Sequence, residues 1–264
     1  MNDSTPLISI ITITYNSGKT LEETINSIIC QDYPRLEYVI IDGGSKDNTL
    51  DIVQKYRDRI AVVVSEPDKG ISDAFNKGIR NASGEIIGII NSDDILLPGT
   101  LKKVANHYSK EIDVYSGNVK MWNDQTDTFY IRKPDIVFEG IRKPYRAAHP
   151  ARFIRKDAYE KYGMYSIDLR YMMDVDLLYR FYNKGAKFIH IDDAFVKFRI
   201  GGTSSDNHSK KKNDFRVFIA NNGGSQFDFQ YLWIKSWVRH ICKMFFVKIS
   251  SRRMQNALHS LLKR

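Results

Sequence analysis

Only two cysteines, Cys30 and Cys242, occur in the 264 residues. They are too few for a disulfide framework and show no metal-ligand spacing, which excludes a stapled secreted scaffold and a zinc module. Small buried or half-buried thiols in a reducing compartment are the expectation. Proline and glycine are also sparse, at 7 and 16 residues, so collagen-like, mucin-like and wholly disordered classes are excluded. No stretch approaches the roughly 20 apolar residues that span a bilayer. The first residues, Met1 to Pro6, lead straight into an apolar run without a basic segment ahead of it, so no secretory signal is read and a cytoplasmic location is expected. Neither early strand is followed by a G-x-G-x-x-G run, which argues against a Rossmann dehydrogenase.

What is present is 42% hydrophobic and 12% aromatic side chains, enough for one generous core or two small ones. The charge is unevenly placed. Residues 208–264 hold 12 Lys and Arg against only Asp214 and Asp228, a formal +10, which leaves 1–207 at −1 with 28 basic and 29 acidic residues. A neutral body argues against a nucleic-acid-binding core, whose basic footprint would lie on the folded domain itself. The basic segment reads as an appended, sticky tail.

Leu7 to Thr14 is a β-branched apolar run ended by Tyr15-Asn16-Ser17-Gly18, a buried strand and turn. Thr20 to Cys30 carries Leu21, Ile25, Ile28 and Ile29 at helical spacing. Strand and helix alternate again over Glu37–Asp42 and Asn48–Tyr56, Ile60–Ser65 and Ile71–Asn81, then Glu85–Ile90 and Pro98–Tyr108. This alternation predicts a mostly parallel α/β sheet covered on both faces by helices. Ligands of such sheets bind beyond the carboxyl ends of the strands. Those ends are polar here: Thr14-Tyr15-Asn16, Asp42-Gly43-Gly44-Ser45, Glu66-Pro67-Asp68-Lys69-Gly70 and Asn91-Ser92-Asp93-Asp94. Asp42 suits a ribose hydroxyl or a base N–H, or else caps its own turn. The adjacent carboxylates Asp93 and Asp94 repel unless a cation sits beside them, and a Mg²⁺ or Mn²⁺ ion shared with substrate phosphates is one answer. An ordinary Asn/Ser/Asp loop is the other.

Together these segments, with Ile40-Ile41-Asp42-Gly43-Gly44-Ser45-Lys46-Asp47-Asn48-Thr49 and Ser65 to Gly78, resemble the inverting family 2 nucleotide-sugar glycosyltransferases of the GT-A fold, over about residues 6–205. The resemblance implies a GT-A, Rossmann-like catalytic unit at 1–207, with a nucleotide-sugar half at 1–110 and an acceptor half at 111–207; the basic, amphipathic helical tail read from charge and periodicity follows at 208–264. It implies that Thr14, Tyr15, Asn16, Asp42 and Gly43 meet the nucleoside, usually uridine. Lys69, Asp73 and Asn76 would lie along the diphosphate and sugar, beside Asn91 and Ser92. Asp93 would match the metal-binding carboxylate of the Asp-x-Asp signature, whose first position is Asn91 here, with Mn²⁺ or Mg²⁺ as cofactor.

In the second half, 112–120 and 128–138 read as strands and Lys156 to Tyr162 as a helix. Asp174 and Asp176 open another helix, whose positive dipole end favours a carboxylate there. Residue reading alone leaves capping as sufficient. The resemblance implies that Asp174 removes the acceptor's proton and that Asp176 is a structural neighbour. Inverting transfer is one displacement, needing a base for the hydroxyl and stabilisation of the departing diphosphate. His149, Asp94 and Arg199 are weaker candidates for the acceptor side, and Phe198 to Ser205 resembles a closing loop of the family.

From Tyr231 on, Ile234, Val238, Ile241, Phe245 and Ile249 form a helical stripe flanked by Trp233 and Trp237, with basic residues between. That pattern predicts either a peripheral contact with the inner face of the cytoplasmic membrane or packing on the body or a second subunit. The expected activity is transfer of a sugar from a nucleotide-sugar, in the first place a UDP-sugar, to a saccharide or lipid-linked saccharide in bacterial surface glycan synthesis. Competing readings are a sugar-nucleotide-binding protein without turnover and a nucleic-acid-associated protein led by the tail. No nucleic acid partner is expected, and the oligomeric state is left open.

Overall fold

A computed structural model describes residues 5–134, 138–142, 149–200 and 211–242. Of the segments singled out above, 135–137 of the second predicted strand, Gly201 to Ser205, and Phe245 and Ile249 lie outside the described residues.

The first half alternates as its periodicity predicts. Strands β1 (Ile8–Thr14), β2 (Leu36–Asp42), β3 (Val62–Ser65) and β4 (Ile86–Asn91) are separated by helices α1 (Leu21–Ile29), α2 (Thr49–Lys55) and α3 (Ile71–Asn81). All pairings among these strands are parallel, in the order β3-β2-β1-β4. Beyond β4 the sheet becomes mixed. It continues through β8 (Arg152–Arg155), β6 (Val114–Asn123), β9 (Phe188–Arg199) and the short β5 (Ile95–Leu96), giving the order β3-β2-β1-β4-β8-β6-β9-β5. Strand β7 (Thr128–Arg132) pairs with residues 119–123 of β6, on the part of that long strand which β8 does not reach. The helices α4 (Thr100–Asn106), α5 (Lys156–Tyr162), α6 (Met173–Asn183) and α7 (Lys211–Asn221) complete the body.

Side-chain alternation along the buried strands divides the core into two layers. Ile8, Ile10, Ile40, Ile86 and Ile90 face α1, α2 and α4, where they meet Leu21, Ile25, Ile52, Val53, Leu101 and Val104. Ile11, Val39, Ile41, Ile87 and Ile89 face the other way, onto Phe75 and Ile79 of α3 and onto α5 and α6. Each such fully buried branched side chain contributes roughly 1.5–3 kcal/mol by leaving water. Helix α3 lies so close to β1 that a Cβ on Gly78 would fall 2.4 Å from Ile11 Cγ2, so only glycine fits that crossing.

Two expectations change. Both cysteines are exposed rather than buried: Cys30 ends α1 on its outer side and Cys242 lies on the C-terminal helix. The basic segment also begins as part of the packed body. Phe215, Phe218 and Ile219 of α7, with Phe229 and Leu232 of a helix over 226–242 (α8), close on Tyr179 of α6 in a third cluster.

Candidate functional site

Parallel pairing fixes where the polar strand ends lie. Thr14 pairs with Asp42, Ile13 with Asn91, and Asp42 with Ser65, so the carboxyl ends of β1, β2, β3 and β4 form one rim. Strand β8 runs antiparallel to β4, with Gly88 opposite Phe153. The residues just before Phe153, His149 to Arg152, are thereby carried toward the same rim.

The loops of this rim are tied to one another. Asn16, held at a φ of 50°, donates its backbone N–H to Ser45 Oγ at 2.8 Å and accepts the Lys46 N–H on Oδ1 at 2.8 Å. Gly43 N–H bonds Thr14 O at 2.9 Å, and the Ser17 and Ser92 hydroxyls meet at 2.7 Å. A Cβ on Gly43 would lie 2.5 Å from Asp68 Oδ2 and 3.5 Å from Tyr15 Cδ2, so glycine lets the Asp68 carboxylate close directly onto this backbone beside the Tyr15 ring. Tyr15 is 61% exposed, and the buried Thr14 Oγ1 has no hydrogen-bond partner. Asp42, by contrast, is wholly buried and saturated. Its Oδ2 accepts the N–H groups of Gly44 and Ser45 at 3.1 and 3.0 Å and the Ser65 hydroxyl at 2.7 Å, and its Oδ1 accepts the Ser45 hydroxyl. So held, it shapes the turn.

At the start of α3, Asp73 accepts the Lys69 N–H at 3.0 Å and pairs with Lys77 at 3.5 Å. These contacts, the Lys69 hydrogen bond chief among them, outweigh partial desolvation and hold its carboxyl below the ordinary range. Lys69 itself is exposed. The Asn76 amide is engaged on both sides by the Tyr165 backbone, donating to its O at 2.8 Å and accepting its N–H at 3.0 Å. Buried in this way, Asn76 fastens α3 to the chain leading into α6 and is not presented to a donor.

Beyond β4, Asn91 Nδ2 donates to Asp94 Oδ2 at 3.1 Å, while the buried Asn91 Oδ1 has no partner. Burial raises the Asp93 carboxyl, against the attraction of Arg199. Asp94, fully buried, is raised further by burial and by the charge of Asp93. Arg199, at the end of β9, places Nη2 2.8 Å from Glu23 and Nη1 2.6 Å from Asp124, its Nε 3.4 Å from the Asp93 carbonyl and its guanidinium over the Trp122 ring. It braces the Asp93 loop.

Asp174 lies in the first turn of α6. Its Oδ1 is 3.1 Å from Arg152 Nη2, and its Oδ2 is 4.0 Å from His149 Nδ1. The Arg152 contact is close in distance but poorly directed, for Oδ1 makes no well-formed hydrogen bond. A quarter of the Asp174 side chain reaches solvent. His149 is buried against Phe75, and burial pushes its imidazole down to about 4, opposed by Asp174 and assisted by Arg152. The imidazole is thus neutral near pH 7. Asp176 stands apart: it is fully buried, paired to Arg180 at 2.8 Å, and accepts the Asn221 and Asn222 amides at 3.1 and 3.0 Å. It locks α6 to α7.

Among the described residues no group of three or more His, Cys, Asp or Glu side chains gathers. The oxygen donors at the end of β4 still suit a hard cation. Asp93 offers a half-desolvated carboxylate and Asn91 a buried carbonyl oxygen without a partner, and Mg²⁺ or Mn²⁺ characteristically takes one or two protein oxygens and shares the rest with water and phosphate. An open groove of about 490 Å³ at the opposite end of β4, between Glu85, Tyr108, Arg155 and Glu160, contains none of the residues singled out above.

Four contributors leave little or no sign in the sequence. Arg152 carries a charge inside the apolar run Ala151 to Ile154, a costly placement that signals a partner. Asp124 and Glu23, which hold Arg199, leave no local signal. Asp214, one of only two acids in the basic tail, accepts the N–H groups of Arg170, Tyr171 and Met172 at 3.0, 2.5 and 2.9 Å, fixing the backbone just before Asp174.

Comparison with known proteins agrees with this architecture. A family model described as glycosyl transferase family 2 matches residues 9–171. The putative glycosyltransferase EpsE of Bacillus subtilis is 28% identical over 232 residues, 83% of this chain and 80% of that protein. Among solved structures, Staphylococcus aureus TarS, residues 1–349, in complex with UDP-GlcNAc superposes with a TM-score of 0.66 at 22% identity, covering 85% of this chain and 70% of that one. The mannosyltransferase PcManGT of Pyrobaculum calidifontis, in complex with GDP-Man and Mn²⁺, gives 0.62 at 18% identity, over 86% and 68%. The sheet and its flanking helices are those of the GT-A fold.

Proposed function

The chain belongs to glycosyl transferase family 2, and from that premise we propose that it moves a sugar from a nucleotide-sugar, a UDP-sugar first, to a hydroxyl of a saccharide or lipid-linked saccharide, with inversion at the anomeric carbon. The observation that carries this is Asp174: a partly exposed carboxylate whose buried Oδ1 lies against Arg152 and whose Oδ2 lies on the side of a neutral His149. Asp174 takes the proton of the acceptor hydroxyl as its oxygen attacks the anomeric carbon, and the bond from that carbon to the diphosphate breaks on the opposite side.

The rim formed by Thr14, Tyr15, Asn16 and Gly43 holds the nucleoside, with the exposed Tyr15 ring as one wall. Asp42 contributes by keeping that turn in shape. Lys69 lies along the diphosphate, and Asp73 fixes the backbone beneath it. Asp93 and Asn91 Oδ1 would hold a divalent cation, which when bound stabilises charge on the leaving diphosphate. EpsE and TarS are bacterial glycosyltransferases, which supports assembly of a bacterial surface glycan as the setting.

The nucleoside is the point to test first, because one solved structure of this fold holds UDP-GlcNAc and another GDP-Man. Purified protein incubated with a panel of UDP-, GDP- and dTDP-sugars and Mn²⁺, with product nucleotide measured, should release UDP preferentially. EDTA should stop release and added Mn²⁺ or Mg²⁺ restore it. Binding of a sugar nucleotide without release under any condition favours the reading without turnover.

A further inference from the structure

Helix α8 is apolar on two opposite sides. Phe229, Leu232 and Trp233 turn inward onto α6 and α7. Phe227, Tyr231, Ile234, Val238 and Ile241 follow one another at spacings of four and three residues, which stacks them along a single face. At 100° per residue that face lies opposite the buried one. Its members are 76%, 44%, 57%, 47% and 41% exposed, and the neighbouring Trp237 is 51% exposed. Large apolar side chains left together in water mark a surface that something covers.

The charge identifies the cover. A second copy of the same helix would bring Lys235 and Arg239 against like charge, and the sequence after it adds Lys243, Lys248, Arg252, Arg253, Lys263 and Arg264 and no acid. The nearest acid, Asp228, is already paired with Arg142 at 2.6 Å. A continuous anionic surface satisfies both the apolar face and the cations beside it. Among the described residues no helix is long and apolar enough to cross a membrane, so the helix would lie in the surface plane, with Tyr231 and Trp237 at headgroup depth.

We propose that the outer face of α8, Phe227 to Ile241 with Trp237, docks this protein on the surface of an anionic lipid bilayer. The inference stands independently of the sugar-transfer reaction, since it uses none of the rim residues.

Flotation of the full chain with vesicles tests it. With phosphatidylcholine vesicles containing about one third phosphatidylglycerol, the wild type should float, and with pure phosphatidylcholine it should stay behind. The double substitution Ile234→Asp, Val238→Asp should lower the bound fraction at least about tenfold. Lys235→Glu with Arg239→Glu should lower it by a similar factor and make what binding remains less sensitive to salt. All four side chains are surface-exposed or flank the helix, so an unchanged thermal transition serves as the folding control. Equal flotation with neutral vesicles, or flotation that survives both double substitutions, overturns the proposal. So does an absence of flotation joined to a concentration-dependent dimer that Ile234→Asp, Val238→Asp abolishes, which would assign the face to a second copy of the chain.

Discussion

The turn after β2 and the start of α6 each place one carboxylate at the carboxyl rim of the sheet, and their surroundings are opposite. Asp42 is wholly buried, with both oxygens accepting hydrogen bonds from Gly44, Ser45 and Ser65. Asp174 is a quarter exposed and is held mainly by the charge of Arg152, with Oδ1 short of a directed donor. A saturated, buried carboxylate organises backbone, whereas one that reaches solvent and makes few hydrogen bonds can take a substrate proton. Local sequence gives both the same appearance: an acid where an apolar stretch meets polar residues.

The comparison breaks most sharply at Asp174. Asp174→Asn keeps the size of the side chain and removes its basicity, so turnover should fall about 10²–10⁴-fold, the range of a positioned base. Donor affinity, measured by calorimetric titration, should stay within a fewfold of wild type. Near-normal turnover in this variant would show that the two carboxylates do not differ in the way proposed.

The reciprocal experiment is Asp42→Ala. It strands the backbone N–H groups of Gly44 and Ser45 and the Ser45 hydroxyl, each costing about 1–3 kcal/mol when buried without a partner. Allowing for relaxation and entry of water, a loss of about 3 kcal/mol in urea unfolding is expected, with turnover of the folded protein within tenfold of wild type. Unchanged stability with abolished donor binding would instead make Asp42 a direct ligand.

The first half of the fold was legible because its signals are local. Ile8 to Thr14 and Ile86 to Ile90 are continuous apolar runs punctuated by turn residues, and parallel strands buried on both faces read in that way. The second half depends on long-range pairing. Strand β8 is four residues long and begins with Arg152, and β9 carries Asp192 and Asp193 in its middle, so neither shows a clean period. The site divides along the same line. Rim positions follow from where strands end, but whether Asn76 or Arg199 faces a ligand depends on partners 75 to 176 residues away, among them Tyr165, Asp124 and Glu23. The sequence carries no local sign of such partners. The outer face of α8 was legible as a stripe, while its inner packing on α7 was not.

His149 sharpens the Asp174 side of the comparison through pH. Burial depresses its imidazole to about 4, whereas an unfolded histidine titrates near 6.5. Between those values the unfolded chain binds the proton and the native chain does not, so stability falls as pH drops from about 6.5 toward 4 and levels off below. The linkage amounts to about 2 kcal/mol between pH 7 and 5. His149→Phe should lose that share of the acid sensitivity in urea unfolding at the two pH values. The replacement is mild, since Nε2 has no hydrogen-bond partner to forfeit. An identical pH slope in the variant would mean that the native imidazole protonates as readily as the unfolded one.

The smallest expected effect lies at Asn91, where the same contrast between engaged and unengaged oxygens recurs within one side chain. Its Nδ2 is engaged by Asp94, and its Oδ1 is buried without a partner. If that oxygen contributes to holding the cation, Asn91→Ala should raise the Mn²⁺ concentration for half-maximal turnover by about tenfold, at the lower end of effects at metal sites, while saturating Mn²⁺ restores most of the rate. Asn91→Asp should move the requirement the other way, because a second carboxylate beside Asp93 binds a hard cation more strongly. Its cost falls on the metal-free protein, where the new charge faces Asp94 without the amide N–H that Asn91 now supplies. Lower thermal stability without metal and a larger upward shift on adding Mn²⁺ would together place Asn91 at the cation; unchanged metal dependence in both variants would leave Asp93 as its only protein ligand among the residues proposed.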